Sequence, residues 1–363
     1  MNLIANLRGI ARRPLWLLWG YLLLVAAAEL ATSVVQPQLG VALHALLLVV
    51  LLIHAAVDQP SPASKLALAL TVAPLIRLLS LALPLTRFPQ AAWYPIVAIP
   101  LLAATAIIIR MLGVPRQALG LRRGVPWHQL MLAGGGLGLG LIEHAILRPA
   151  PLVATYTWSA LLPPLLSLII FTGFTEELIF RGLLQSVALP VLGRWALVYV
   201  SLLFGVLHIG YLSVADVVFV SVTGLAFAHI VRKGGSILGV TLAHGVTNVT
   251  LFMIMPYLAA HPAGSAAALA PWVFWGGTAV AIVAVDLVML RATVTASMQP
   301  AGAAPSGGLR DLRRSSGLTY VDLAQRTGLP VRRLAEIEHG LRLPQPDDLQ
   351  RIELALAPSL GAV

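Results

Sequence analysis

The sequence predicts an all-α protein: a polytopic helical membrane bundle of about ten spans followed by a small soluble helix-turn-helix domain. Three observations predict it. The 363 residues are 58% hydrophobic and only 10% charged, with mean hydropathy +0.88, whereas a soluble domain is about a quarter charged. Apolar runs of the ~20 residues that a bilayer requires recur along most of the chain. After Arg291 the composition turns polar and charged. The chain has no cysteine, which excludes a disulfide framework and any Cys metal site.

The first run, Leu15–Val35, follows basic residues and is followed by Pro37 rather than a small-residue cleavage site. It reads as a transmembrane helix and not as a cleaved signal. Further spans are expected at Leu39–Val57, Leu66–Leu85, Ala91–Leu112, Leu130–Leu147, Trp158–Ala188, Trp195–Ile209, Val214–Val231, Ile237–Leu258 and Trp272–Leu290. Placing Arg8, Arg12 and Arg13 in the cytoplasm makes alternate loops basic: Lys65; Arg110, Arg116, Arg122 and Arg123; Arg194; Arg232 and Lys233; Arg291. The opposite loops hold only Arg87 and Arg148. This predicts a multi-pass plasma membrane protein with both termini cytoplasmic. Trp16, Trp19, Trp93, Tyr94, Trp272 and Trp275 fall at span ends, where interfacial aromatics sit.

Four segments follow: N-terminal membrane helices over 1–150, a core with the last span over 151–295, an Ala/Pro/Ser/Gly-rich linker over 296–308, and a helix-turn-helix domain over 309–363. Beyond Gly307 eight arginines face seven acids, so most of the net charge of +10 belongs to the membrane part. The basic excess is therefore a topology signal rather than a nucleic-acid footprint.

The sixth span holds Thr175-Glu176-Glu177-Leu178-Ile179-Phe180-Arg181. Ionisable groups in a bilayer are costly and mark function by default. Glu177 and Arg181 are four apart and can pair on one face; Glu176 is turned about 100° away. A lone pair of this kind can be purely structural, but the extra Glu176 is harder to explain so. His208 follows Phe204 by four, and Asn248 follows His244 by four. Counting from the turn near Pro190–Arg194, Glu176 and His208 both lie about fourteen residues away, roughly 20 Å deep. His244 lies about ten residues past Gly234-Gly235, roughly 15 Å deep. Polar groups from three spans thus reach similar depth.

Glu-Glu-x-x-x-Arg, Phe-x-x-x-His and His-x-x-x-Asn on successive spans resemble the CAAX-protease and bacteriocin-processing (Abi) family of intramembrane endopeptidases, which includes the type II CAAX prenyl endopeptidases. The resemblance covers roughly residues 155 to 260. It implies peptide hydrolysis by Glu176, His208, His244 and Asn248, with Glu177, Arg181 and Phe204 in support. A Glu desolvated in a membrane cavity suits a general base. His208 would share the water or protonate the leaving amine, and His244 and Asn248 would stabilise the oxyanion. The cavity would open to the cytoplasm. The substrate would be a peptide or protein, with lipidated or membrane-associated chains among the candidates. If a metal takes part it would be zinc on Glu176, His208 and His244; metal-free water activation is favoured, since His-Glu-x-x-His is absent and Asn is a poor zinc ligand.

Other polar residues receive no catalytic role: Glu29, Arg77, Glu143, His144, His229 and Asp286 read as paired, snorkelling or cavity-lining groups. Gly134-Gly135-Gly136-Leu137-Gly138-Leu139-Gly140 has no preceding strand and reads as close helix packing rather than a nucleotide loop. A proton-coupled transporter would also use membrane Glu and His, but the halves lack the repeat such proteins carry.

In the tail, Thr319 is an expected N-cap for Val321–Arg326. Gly328-Leu329-Pro330 makes a turn, Val331–His339 a second helix closed by Gly340, and Asp347–Leu356 a last helix. The pattern Leu318 to Leu329, with Ile337-Glu338-His339-Gly340 and Pro344, resembles the Cro/repressor-like helix-turn-helix family. It implies DNA contact through Tyr320, Arg332 and Arg333. The near-neutral tail argues against strong affinity, so a protein partner stays open beside DNA. A membrane-tethered regulator is accordingly the alternative to the peptidase, and the tail points to a bacterial chain.

Overall fold

The computed structural model describes residues 3–58, 61–153, 155–260, 277, 309, 313, 316–338 and 344–356. The chain divides into two compact units, Met1–Leu290 and Arg291–Val363. Among the described residues of both, the regular structure is helical.

Among the described residues, eight helices of the first unit are long and apolar enough to cross a membrane. They are α1 (Leu3–Leu30, widening into π-type turns over Ala31–Val35), α2 (Pro37–Val57), α3 (Pro62–Ala82), α4 (Gln90–Leu112) and α5 (Pro126–Leu147). After α6 (Trp158–Leu192) comes a shorter apolar helix, α7 (Trp195–Val206). Then follow α8 (Val214–Gly234) and α9 (Leu238–Ala260). Prolines open α2, α3 and α5, where the missing N–H has no intrahelical acceptor to lose. Eight of these helices coincide with expected spans, and α7 falls on a ninth without the length to cross. The tenth, Trp272–Leu290, and the linker 296–308 lie outside the described residues, Gly277 apart.

α7 differs from expectation. Its 12 residues rise about 18 Å, short of the ~30 Å hydrocarbon core. The chain turns at Ile209–Tyr211, with Leu212 in the left-handed region at φ 55°. His208 therefore closes a helix at a turn instead of lying mid-span. Ser213 restarts the chain by capping α8 through the Asp216 amide.

Leu18, Leu51, Leu66, Ile179, Tyr199 and Leu203 form the main core, and the Tyr199 hydroxyl donates to Leu18 O at 3.0 Å. Two basic loops meet at one end of the bundle: Ile237 N–H bonds Gly120 O at 3.0 Å, and Ser236 bonds Arg122 O at 2.6 Å. The glycine run of α5 lies against α9. A Cβ on Gly136 would stand 2.2 Å from Ala243 O, and one on Gly140 2.5 Å from Thr247 O. Only glycine allows this approach. It matters because α9 carries His244 and Asn248.

The second unit holds α10 (Tyr320–Thr327), α11 (Val331–Glu338) and α12 (Pro346–Leu356). Thr319 and Asp322 form a reciprocal capping box, and Gly328 ends α10 at φ 69°. Leu323, Leu334, Ile337 and Ile352 make its own core. The expected closing residues His339 and Gly340 lie outside the described residues.

Candidate active site

α6 is not uniformly α-helical. Π-type turns over Leu168–Phe174 and Leu178–Leu184 flank a single α-turn, Thr175–Glu177. Such widened turns concentrate at functional sites because they re-aim side chains. The two adjacent carboxylates lie in the α-turn between them. Glu177 is fully buried, and its Oε1 accepts from Arg181 Nη1 at 2.8 Å. Glu176 keeps 31% of its side chain exposed.

Arg181 is buried with Glu177. Its guanidinium lies over the Phe204 ring at 4.5 Å, an attraction that strengthens on desolvation. Gly224 of α8 makes room, since a Cβ there would meet Arg181 Nη2 at 3.0 Å. Phe204 thus packs the ion pair from α7, four residues before His208.

His244 joins the two carboxylates. Its Nδ1 lies 2.9 Å from Glu177 Oε1, and its Nε2 lies 3.7 Å from Glu176 Oε2. The second distance is too long for a direct hydrogen bond but lets one water bond both atoms. With Glu177 accepting, the Nδ1 proton is fixed and Nε2 is the atom presented to Glu176. His208 is anchored in the same sense: its Nδ1 bonds Phe204 O at 2.8 Å, leaving Nε2 free. Asn248 donates Nδ2 to Thr172 Oγ1 at 2.9 Å, tying α9 to α6; its second amide proton is uncommitted.

His208, His244, Asn248, Phe204 and Glu143 line one small recess. Glu176 stands beside this wall rather than in it, next to His244. Four side chains named from the sequence, Glu176, Glu177, Arg181 and His244, are thus in one network, with His208 and Asn248 on the adjoining recess. For zinc, two imidazoles anchored at Nδ1 would be suitable donors. However, no three His, Asp or Glu groups converge into a ligand set among the described residues. Glu176, His208 and His244 do not fit such a site, and the chemistry is derived from the side chains alone.

Of two further acids, the sequence names Glu143 only as a paired or cavity-lining group and leaves Asp216 unmarked. Glu143 of α5 is in the wall of the recess, where a lone acid in a span carries no motif to place it. Asp216 of α8 is fully buried with no hydrogen-bond partner for either oxygen among the described residues. In sequence, Ser213-x-x-Asp216 looks like an ordinary helix start, which hides it.

In the second unit, Arg313 pairs bidentately with Glu338, both contacts at 2.9 Å, and stacks on Tyr320 at 4.2 Å. Of the residues named for DNA, Tyr320 is packed on that pair and Arg333 bonds Asp348 at 2.8 Å. Arg332 stands out at 91% exposure, with Glu336 as an i,i+4 neighbour.

Residues 158–250 match the family model for the type II CAAX prenyl endopeptidase Rce1-like proteins. Residues 309–358 match a helix-turn-helix family model. No curated protein and no solved structure matches the chain. The first match takes in Glu176, Glu177, Arg181, Phe204, His208, His244 and Asn248, so the architecture is the one that the motifs resembled.

Proposed function

We propose that this membrane protein, with its Rce1-like segment and helix-turn-helix unit, is an intramembrane endopeptidase in which Glu176 activates the attacking water. One observation carries the reading: of two adjacent glutamates, one is sealed in an ion pair while the other stays accessible beside a histidine whose orientation that pair fixes.

Glu176 takes a proton from a water held against His244 Nε2, and the hydroxide attacks the scissile carbonyl carbon. Protonated on both ring nitrogens, His244 donates Nε2–H, and Asn248 its free amide proton, to the oxyanion, and the proton taken by Glu176 passes through the lone pair of His208 Nε2 to the leaving amine. A placed base contributes about 10²–10⁴ in rate, and one oxyanion donor about 10²–10³. Glu177, Arg181 and Phe204 hold the reacting groups without touching substrate. No metal is needed for any step.

The basic loops support an orientation with both termini in the cytoplasm of a plasma membrane and the cavity entered from that face. The substrate is a peptide or membrane-associated protein; the family description makes prenylated CAAX ends the first to try. Peptides released in cells carrying the wild type are compared with those in cells carrying Glu176→Ala. A set released only by the wild type is expected, and identical sets would end the peptidase reading.

The helix-turn-helix match supports a second role for the tail, contact with DNA or with a protein partner, led by Arg332. If the fragment 305–363 shows no salt-sensitive DNA binding at low salt, the DNA reading is retired.

A further inference from the structure

α7 ends at Val206, so carbonyls just beyond it lack intrahelical donors. One of them, Leu207 O, immediately precedes His208. It accepts from Arg77 Nη2 at 3.1 Å, across 130 residues of sequence. Arg77 belongs to α3, outside the Rce1-like segment. A cation at this place also complements the negative end of the helix.

Arg77 is itself held. Its Nε donates to Glu29 Oε1 at 2.9 Å and its Nη2 to Glu29 Oε2 at 2.5 Å, a bidentate grip on a carboxylate that is fully buried in α1. His44 Nε2 of α2, also buried, lies 3.4 Å from Glu29 Oε1. Gly210 rests on the guanidinium, where a Cβ would be 3.5 Å from Nη2. The same turn contains Leu212 in the left-handed conformation, which surrounding structure must hold. A fully buried carboxylate held by a part-buried guanidinium is costly, and a merely structural pair would not need to end on the carbonyl beside a site histidine.

We infer that Arg77, oriented by Glu29, is a positioning residue: it clamps the turn after α7 and thereby fixes His208 Nε2 towards the recess. This rests on the proposed role of His208. The N-terminal helices then complete the active site from outside the family segment. Small displacements of a reacting group cost about a hundredfold in rate, which is the scale on which the clamp acts.

The test uses the full chain in lipid nanodiscs. Arg77→Lys keeps a donor, and Glu29→Leu/Arg77→Met replaces the pair by apolar groups of similar size, a change that buried pairs usually tolerate without unfolding. Two readouts are taken: the rate of carbethoxylation of His208 by diethyl pyrocarbonate, resolved by mass spectrometry, and kcat and KM on a farnesylated CAAX peptide. The double variant is expected to melt near the wild-type temperature, to carbethoxylate His208 at least about fivefold faster with His229 unchanged, and to lose about tenfold or more in kcat at constant KM. Arg77→Lys should recover part of both. Unchanged His208 reactivity and kcat in a folded double variant would overturn the clamp. If the double variant is not folded, Arg77→Gln, too short to bond Glu29 and Leu207 O together, decides alone: wild-type values in both readouts overturn the inference. Wild-type cleavage by His208→Ala would instead remove the catalytic reading, and the carbethoxylation rate would still decide the clamp.

Discussion

Glu176 and Glu177 are neighbours in sequence, yet replacing each by Gln should damage different properties. Glu177 is fully buried and binds Arg181 at 2.8 Å and His244 at 2.9 Å. Glu177→Gln leaves the buried guanidinium without a counter-ion, and breaking a buried pair costs about 3–5 kcal/mol. Contact of Arg181 with Phe204 at 4.5 Å is common to both proteins and cancels from the difference. A loss of about 3–5 kcal/mol corresponds to a fall of about 6–20 °C in melting temperature. Glu176→Gln removes only a part-exposed carboxylate 3.7 Å from His244, worth about 0–1 kcal/mol, or at most ~4 °C. Its rate, however, should fall by at least about 10². The assay is thermal unfolding in detergent, followed by the fluorescence of the eight tryptophans, beside peptide cleavage. Glu177→Leu/Arg181→Met should regain most of the stability lost by Glu177→Gln, since no buried charge is left unpaired. If Glu177→Gln melts with the wild type while Glu176→Gln unfolds early, the division of labour between the glutamates is wrong.

Further expectations concern the metal, the helix contact and the tail. Dialysis against a strong chelator should leave cleavage intact; loss of activity that only zinc restores would put a metal on Glu176, His208 and His244. Gly136→Ala forces a methyl into Ala243 O, 2.2 Å from its ideal position, so α5 and α9 must part at a cost of about 1–3 kcal/mol; a melt and kcat both at wild-type values would refute that contact. In the tail, the Thr319 hydroxyl and then its amide hydrogen-bond Asp322 and hold its carboxyl below the ordinary value. The capping box therefore adds stability above the unfolded pKa of about 3.9 and loses it as pH falls through the lower folded value. Asp322→Asn should abolish that acid limb in melts of 305–363, and Thr319→Ala should cost about 1 kcal/mol at neutral pH.

Much of this was legible because it is local. Span length follows from apolar runs, the Glu177–Arg181 pair from helical periodicity, and the Thr319 cap from residue type. What is non-local was not legible. The short α7 is hidden by an apolar run that continues to Ile209, while the turn after it is fixed by Arg77 from another helix. Arg77 and Glu29, 48 residues apart, read as separate polar residues until α1 and α3 are side by side. The sharing of His244 between both glutamates depends on how α9 packs against α6, which no periodicity announces. Arg333 looked free for DNA, but packing of α11 on α12 gives it Asp348.

The central claim is that Glu176 is the base. Its most direct test is single-turnover cleavage of a farnesylated CAAX peptide by purified wild type and by Glu176→Ala, each first shown to melt alike. The account predicts that the variant loses at least about 10² in rate, with the wild type placing one solvent oxygen in the new carboxylate. Cleavage by Glu176→Ala at the wild-type rate would contradict it.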